Sequence, residues 1–187
     1  MSEMSVLLTE RLRLRPFRDG DAEAMFRNWT NDEEVARFCR WYRHKELKST
    51  KWLLDLYLRE AAEGFDHRWG ITLLENDDEV IGSVEVVGVK NHDQSAEIGY
   101  VMARRYWNKG YTTEAVKAVI EELFRCGYTV VCGRRHTDNP ASGRVMEKCG
   151  MHFTGMDREV RKYTEYDMCD VMVYEIVRDD NKMYQQE

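Results

Sequence analysis

The stretch AEIGYVMARRYWNKGYTTEAVKAVIEELF, Ala96 to Phe124, decides the fold. Its first residues alternate as a strand that ends at Met102, and from Thr113 the apolar residues Val116, Val119, Ile120, Leu123 and Phe124 recur at helical spacing. Between the two lie Asn108, Lys109, Gly110, Tyr111, Thr112 and Thr113. At such a junction the first N–H groups of the helix have no partner within it and the helix dipole places positive charge there, which suits a diphosphate. Gly110 allows close backbone approach, Thr112 and Thr113 bring hydroxyl donors, and Lys109 brings a positive charge. A single glycine before a helix also serves an ordinary turn, so the junction alone leaves both readings open.

Working outward toward the N-terminus, LLTERLRLRPF from Leu7 to Phe17 alternates apolar and charged residues and reads as a first strand closed by Pro16. Helical spacing follows over Asp19 to Trp29, and Asn31 with Glu34 three residues on predicts a capping box opening a second short helix. Trp52, Leu53, Leu56, Tyr57 and Ala61 make one stripe on a longer helix, Lys48 to Ala62, stopped near Gly64. Strand-like runs at Trp69 to Leu74, Val80 to Val89 and Ala96 to Met102 are divided by the turn-rich segments Asn76-Asp77-Asp78 and Asn91-His92-Asp93, which predicts an antiparallel meander. Beyond the central helix, Tyr128 to Cys132 reads as a buried strand. Asn139-Pro140 opens a helix that ends before Gly150. Two last strands are expected near Met151 to Glu159 and Met168 to Val177. This order predicts an α/β (α+β) layer design: a mixed sheet covered by helices, in one domain over residues 1–177 with a polar tail over 178–187.

Composition excludes other classes. With 43% hydrophobic and 33% charged residues in 187, the chain reads as an ordinary globular protein. No apolar run approaches the roughly 20 residues that span a bilayer. Met1 to Arg15 lacks the uninterrupted apolar core of a secretion signal, so a cytoplasmic location is expected. The five cysteines, Cys39, Cys126, Cys132, Cys149 and Cys169, are widely spaced without a C-x-x-C pair and are expected reduced. The histidines lack ligand spacing, so no metal is expected. A net charge of −6 points away from a nucleic-acid surface. RFCRWYRHKELK, Arg37 to Lys48, interleaves aromatic and basic residues; it reads either as the mouth of an acceptor or nucleic-acid site or as a solvated helix end.

The segments TERLRLRPF (Thr9 to Phe17), AEIGY (Ala96 to Tyr100), YWNKGYTTEA (Tyr106 to Ala115) and NPASGRVMEKCGM (Asn139 to Met151) together resemble the GNAT superfamily of N-acetyltransferases. Within it they are most similar to the branch of ribosomal-protein N-terminal (alanine/serine) acetyltransferases. The four matches come in the family's order and cover nearly the whole chain. The family's cofactor motif, Gln/Arg-x-x-Gly-x-Gly/Ala, falls on Trp107 to Thr112, with Trp107 in place of Gln/Arg, Asn108 where the branch often has Gly, and Thr112 where Gly or Ala is usual. These departures imply altered phosphate contacts with binding retained.

The resemblance implies a GNAT-like, mostly antiparallel sheet of about seven strands with the fourth and fifth splayed apart. It implies acetyl-CoA as co-substrate, its pantetheine arm pairing with main-chain groups near Val101 and Met102, and its diphosphate held by Asn108, Lys109, Gly110, Tyr111, Thr112 and Thr113. Asn139 and Ser142 match the branch's Asn-x-x-Ser, the Asn facing the pantetheine arm and the Ser the departing thiol. A hydroxyl there can protonate or stabilise a developing thiolate. The plainer reading makes Asn139 an N-cap and Ser142 a first-turn residue. For the amine proton, Glu97 occupies the position of the general base of histone-type members; Glu159, and Tyr163 as an acid, are the rivals. The expected reaction is direct transfer of acetyl to a primary amine, a protein N-terminus or a small molecule, in a ternary complex. An acyl-CoA-binding regulatory module on the same fold is the alternative. The acceptor's identity is not legible here, and a homodimer stays open.

Overall fold

The computed structural model describes residues 5–64, 67–90, 94–161 and 168–179. Its strands are β1 (Leu7–Leu8), β2 (Leu12–Pro16), β3 (Arg68–Leu73), β4 (Gly82–Lys90), β5 (Ser95–Met102), β6 (Val130–His136), β7 (His152–Arg161) and β8 (Met168–Val177). They form one sheet of eight in the order β1-β2-β3-β4-β5-β6-β8-β7. Every pairing is antiparallel except β5 with β6, which is parallel. The helices are α1 (Asp21–Met25), α2 (Glu33–Ala36), α3 (Leu47–Ala62), α4 (Tyr111–Arg125) and α5 (Pro140–Lys148). None of the described helices is long and apolar enough to cross a membrane.

Alternation along β5 separates the two layers. Ile98 and Met102 join the core formed with Val116, Val119, Ile120 and Leu123 of α4 and Met146 of α5. Val101 instead packs against the cluster of Ala22, Ala24 and Met25 of α1 and Leu54 of α3. The sheet is therefore sandwiched, with α4 and α5 on one face and α1 to α3 on the other. Leu12, Leu14 and Ile71 are fully buried, each worth about 1.5–3 kcal/mol of transfer free energy. Arg15 is buried as well, because Asp21 receives its guanidinium in two bonds of 2.8 and 3.0 Å; the pair ties α1 to the sheet.

Three expectations change. The single strand predicted over Leu7 to Phe17 is a hairpin: Leu7 pairs with Leu14 and Leu8 with Arg13, so the sheet has eight strands. The reason lies far away in sequence. Glu114 of α4 accepts from Thr9 Oγ1 at 2.6 Å and from the Arg11 main-chain N–H at 2.8 Å, folding the chain back within a continuous alternating pattern. The second helix is capped by Asp32 instead of Asn31: Asp32 Oδ1 accepts from the N–H of Glu34 at 3.0 Å and of Val35 at 3.4 Å. The helix predicted over Asp19 to Trp29 begins at Asp21 and ends in a π-helical turn, Phe26–Thr30. The remaining elements overlap their expected places, β6 starting two residues after Tyr128 and running four past Cys132, with Gly64, Gly127 and Gly150 in left-handed conformation just past α3, α4 and α5.

Candidate functional site

β5 and β6 run parallel and pair only from Ser95↔Val130 to Ile98↔Gly133. Past that point β5 continues to Met102 and β6 to His136 without pairing, which opens a notch at the strands' C-terminal ends. The splayed fourth and fifth strands expected from the sequence are thus β5 and β6. Ala103 N–H donates to Ile81 O on the β4 side, so by alternation the main chain of Val101 also faces β4 while Tyr100 and Met102 face the notch. A Cβ on Gly82 of β4 would lie 2.4 Å from Val101 O, which fits that direction. The expected strand-like pairing therefore shifts from Val101 to Tyr100. At Met102 the carbonyl already accepts from the Trp107 indole N–H at 2.7 Å.

The loop from the notch to α4 has the geometry of an anion site. Asn108 takes φ +60° and Gly110 φ +82°. Asn tolerates the left-handed region better than most side chains, so the departure from Gly at 108 keeps the backbone shape. No side chain caps α4, and its first intrahelical bond is Glu114 N–H to Gly110 O at 3.0 Å, so the N–H groups of Tyr111, Thr112 and Thr113 stay available for a diphosphate. Lys109 is exposed beside them. Arg11, on the β1–β2 turn, braces the loop by donating to Lys109 O at 3.0 Å and lies 4.4 Å over the Tyr111 ring. Burial pushes the Glu114 carboxyl upward, but bonds from Thr9 and from the main chain and side chain of Arg11 outweigh it and hold the group below the ordinary carboxylate range.

Across the notch, Asn139 caps α5, its Oδ1 accepting from Ser142 N–H at 3.3 Å. The capping role and the site role coincide, since the cap fixes the first turn that carries Ser142. The Tyr100 hydroxyl donates to Ser142 O at 2.9 Å, and Ser142 Oγ lies 2.8 Å from the same phenol oxygen. Burial pushes the Tyr100 hydroxyl above the ordinary phenol range, with the Ser142 bond pulling the other way. Tyr100 therefore keeps its proton at neutral pH. The sequence, in which Tyr100 stands within AEIGY, did not single out this contact with Ser142; the signal was the place of Tyr100 on the strand face shared with Ile98 and Met102.

On the opposite face, Glu97 pairs with Cys132 of β6 in the closed part of the parallel ladder. Arg134 Nη1 donates to Glu97 Oε2, and Arg40 Nη2 stands 3.7 Å from Oε1. Arg134 also donates to Asp157 on β7 at 2.9 Å. The basic segment Arg37 to Lys48 connects α2 to α3 and faces this side, with the Phe38 ring tilted at 44° to that of His136, 5.4 Å between centroids. Glu159 belongs to β7, but its side chain and the whole of Tyr163 lie outside the described residues. Among the described residues no group of three His, Cys, Asp or Glu side chains is arranged to hold a metal ion.

The fold agrees with what the chain is similar to. Residues 11–152 match the family model described as "Acetyltransferase (GNAT) domain". The uncharacterized N-acetyltransferase YoaA of Bacillus subtilis is 31% identical over 177 residues, covering 92% of this chain and 97% of that protein. Among solved structures, a GNAT-family acetyltransferase from Bacillus anthracis superposes with a TM-score of 0.80 at 23% identity, covering 92% of this chain and 98% of the other. The ribosomal L7/L12 α-N-protein acetyltransferase RimL, solved with coenzyme A, gives a TM-score of 0.79 at 16% identity, covering 94% and 99%. At those identities the two structures speak for the fold alone.

Proposed function

This chain belongs to the GNAT acetyltransferase family, and we propose that it moves the acetyl group of acetyl-CoA directly to a primary amine, with both substrates bound together. The observation that carries the reading is the hydroxyl pair of Ser142 and Tyr100 at the notch formed by β5 and β6. Acetyl-CoA fits the residues present. The uncapped N-terminus of α4, with Asn108 to Thr113, would hold the diphosphate, and the main chain of Tyr100 and Met102 would pair with the pantetheine arm.

In the reaction the amine lone pair attacks the thioester carbonyl carbon and the C–S bond breaks. Charge developing on the carbonyl oxygen is met by a main-chain N–H of β5, at Tyr100 or Met102. The departing thiolate takes its proton from Ser142 Oγ–H, Tyr100, 2.8 Å away, passes one to Ser142, and the proton lost by the nitrogen as the amide forms restores Tyr100. Asn139 orients this pair through the helix cap. Glu97 stands on the acceptor side with both oxygens in guanidinium contacts, so it takes the amine's proton only if Arg134 and Arg40 release it.

Thiol release from acetyl-CoA, followed across a panel of peptide N-termini and small amines, tests the reading. Amine-dependent release supports it. CoA binding with no release for any amine would instead mark a CoA-binding module on the same fold.

A further inference from the structure

The proton that leaves the amine needs an acceptor, and the face of the sheet opposite α4 and α5 offers one that Glu97 obscures. Three residues stand side by side across neighbouring strands: Arg68 on β3 pairs with Glu85 on β4, and Glu85 pairs with Gly99 on β5. Beyond Gly99 no strand follows, because β6 has already diverged. Adjacent strands lie about 5 Å apart, and between Glu85 and the notch β5 carries no side chain at Gly99, which Val87 Cγ1 of β4 flanks.

The charges around Glu85 do not balance. Arg68 donates to Glu85 at 2.7 Å and equally to Glu60 of α3 at 2.7 Å, so one guanidinium serves two carboxylates. Tyr57 of α3 adds a hydrogen bond to Glu85 but no charge, its ring lying 4.0 Å from the Arg68 guanidinium. Among the described residues the charged and titratable groups facing Glu85 are Arg68 from β3 and Tyr57 and Glu60 from α3, while β5 presents Gly99. One negative charge is left over, and 22% of the Glu85 side chain remains accessible. Glu97 differs: Arg134 and Arg40 face Glu97 and Asp157, two cations for two anions. Burial pushes the Glu85 carboxyl above the ordinary carboxylate range, against the pull of Arg68. That direction brings a carboxylate closer to the poise of a general base at neutral pH.

We propose that Glu85 is the carboxylate that receives the acceptor's ammonium group and takes its proton, and that the acceptor is a protonated primary amine reaching the thioester over Gly99; this rests on the acetyl-transfer reading above. The proton count closes. The ammonium gives one proton to Glu85, the neutral amine forms the C–N bond, the C–S bond breaks, and the thiolate is protonated through Ser142. The second proton lost from nitrogen regenerates the hydroxyl pair, and Glu85 releases its own to solvent.

The test is steady-state kinetics of Glu85→Gln, Glu85→Asp and Glu97→Gln against pH, with the best alkylamine and with an arylamine that is neutral at pH 7. For Glu85→Gln and the alkylamine, kcat/KM for the amine should fall roughly 10²-fold near neutral pH. The gap should close as alkaline pH deprotonates the amine, with KM for acetyl-CoA unchanged. Glu85→Asp should recover part of the loss, and the arylamine should be affected far less. A wild-type pH profile in Glu85→Gln, an equal loss with the arylamine, or alkaline recovery confined to Glu97→Gln would overturn the assignment. Should Glu85→Gln fail to fold, Gly99→Ala decides, since its Cβ would sit 3.1 Å from Val87 Cγ1 and narrow the passage. It should raise KM for the amine about tenfold with acetyl-CoA binding intact, and an unchanged amine KM would overturn the idea. If the wild-type chain acetylates no amine, the acetyl-transfer reading falls and Glu85 with it; if it does and these variants behave as wild type, Glu85 falls alone.

Discussion

Removing the hydroxyls of Ser142 and Tyr100 singly and together tests whether they act as one proton path. Ser142→Ala leaves Tyr100 its 2.9 Å bond to Ser142 O, so the fold loses little. Tyr100→Phe deletes a hydroxyl that makes both contacts, at 2.8 and 2.9 Å. One such bond is worth about 1 kcal/mol, which lowers Tm by about 2–4 °C in a chain of this size. The kinetic order should be reversed. Ser142→Ala removes the group next to the leaving thiol and should lower kcat by roughly tenfold to a thousandfold. Tyr100→Phe leaves the serine hydroxyl in place and should cost about tenfold. Because one group acts through the other, the double variant should be no slower than Ser142→Ala alone. The assay is single-turnover acetyl transfer at saturating acetyl-CoA, with CoA affinity from calorimetry and Tm from thermal melts. The losses should be independent of pH, unlike those at an amine-side base. Full kcat in Ser142→Ala, or losses that multiply in the double variant, would refute the relay.

Two further outcomes follow from the loop before α4. Gly110→Val should weaken CoA binding at least tenfold and also lower Tm by several degrees, because φ +82° costs an L side chain about 1–2 kcal/mol; unchanged CoA affinity would remove the diphosphate from this loop. Glu114→Gln concerns acid stability. The folded-state carboxyl is held low, so its contribution is present above the unfolded pKa and lost as pH falls through the folded value. Thermal melts between pH 5 and 3 should therefore fall less steeply in the variant than in wild type, and parallel slopes would count against the bracing role.

Much of this was legible in the sequence because it depends on neighbours along the chain. Helical spacing located α4, and Asn139-Pro140 marked the cap that the structure shows. What stayed hidden depends on distant partners. Period-two alternation is the same on both sides of the Thr9 to Arg11 turn, so only the contact with Glu114 reveals a hairpin. Asn31 and Asp32 are both good caps, and nothing local distinguishes them. Tyr100 gains a chemical reading only when α5 delivers Ser142 to it, 42 residues later. Glu85 looks like any polar residue of a half-buried strand until the register sets it beside Gly99 and between Arg68 and Tyr57. The functional departures at Asn108 and Thr112 also gained meaning from geometry: the first occupies a left-handed position that Asn accepts, and the second lies in the uncapped first turn of α4.

The proposed reaction is direct transfer from acetyl-CoA to an amine held in the same complex. Mass spectrometry of the intact chain and of all small products, sampled through one turnover with acetyl-CoA and an accepted amine, tests it most directly. The account predicts acetylated amine and CoA appearing in equal amounts, no acetyl group on the chain at any time, and no CoA release without amine. An acetylated chain that later passes its acetyl to the amine, or CoA released with free acetate, would contradict it.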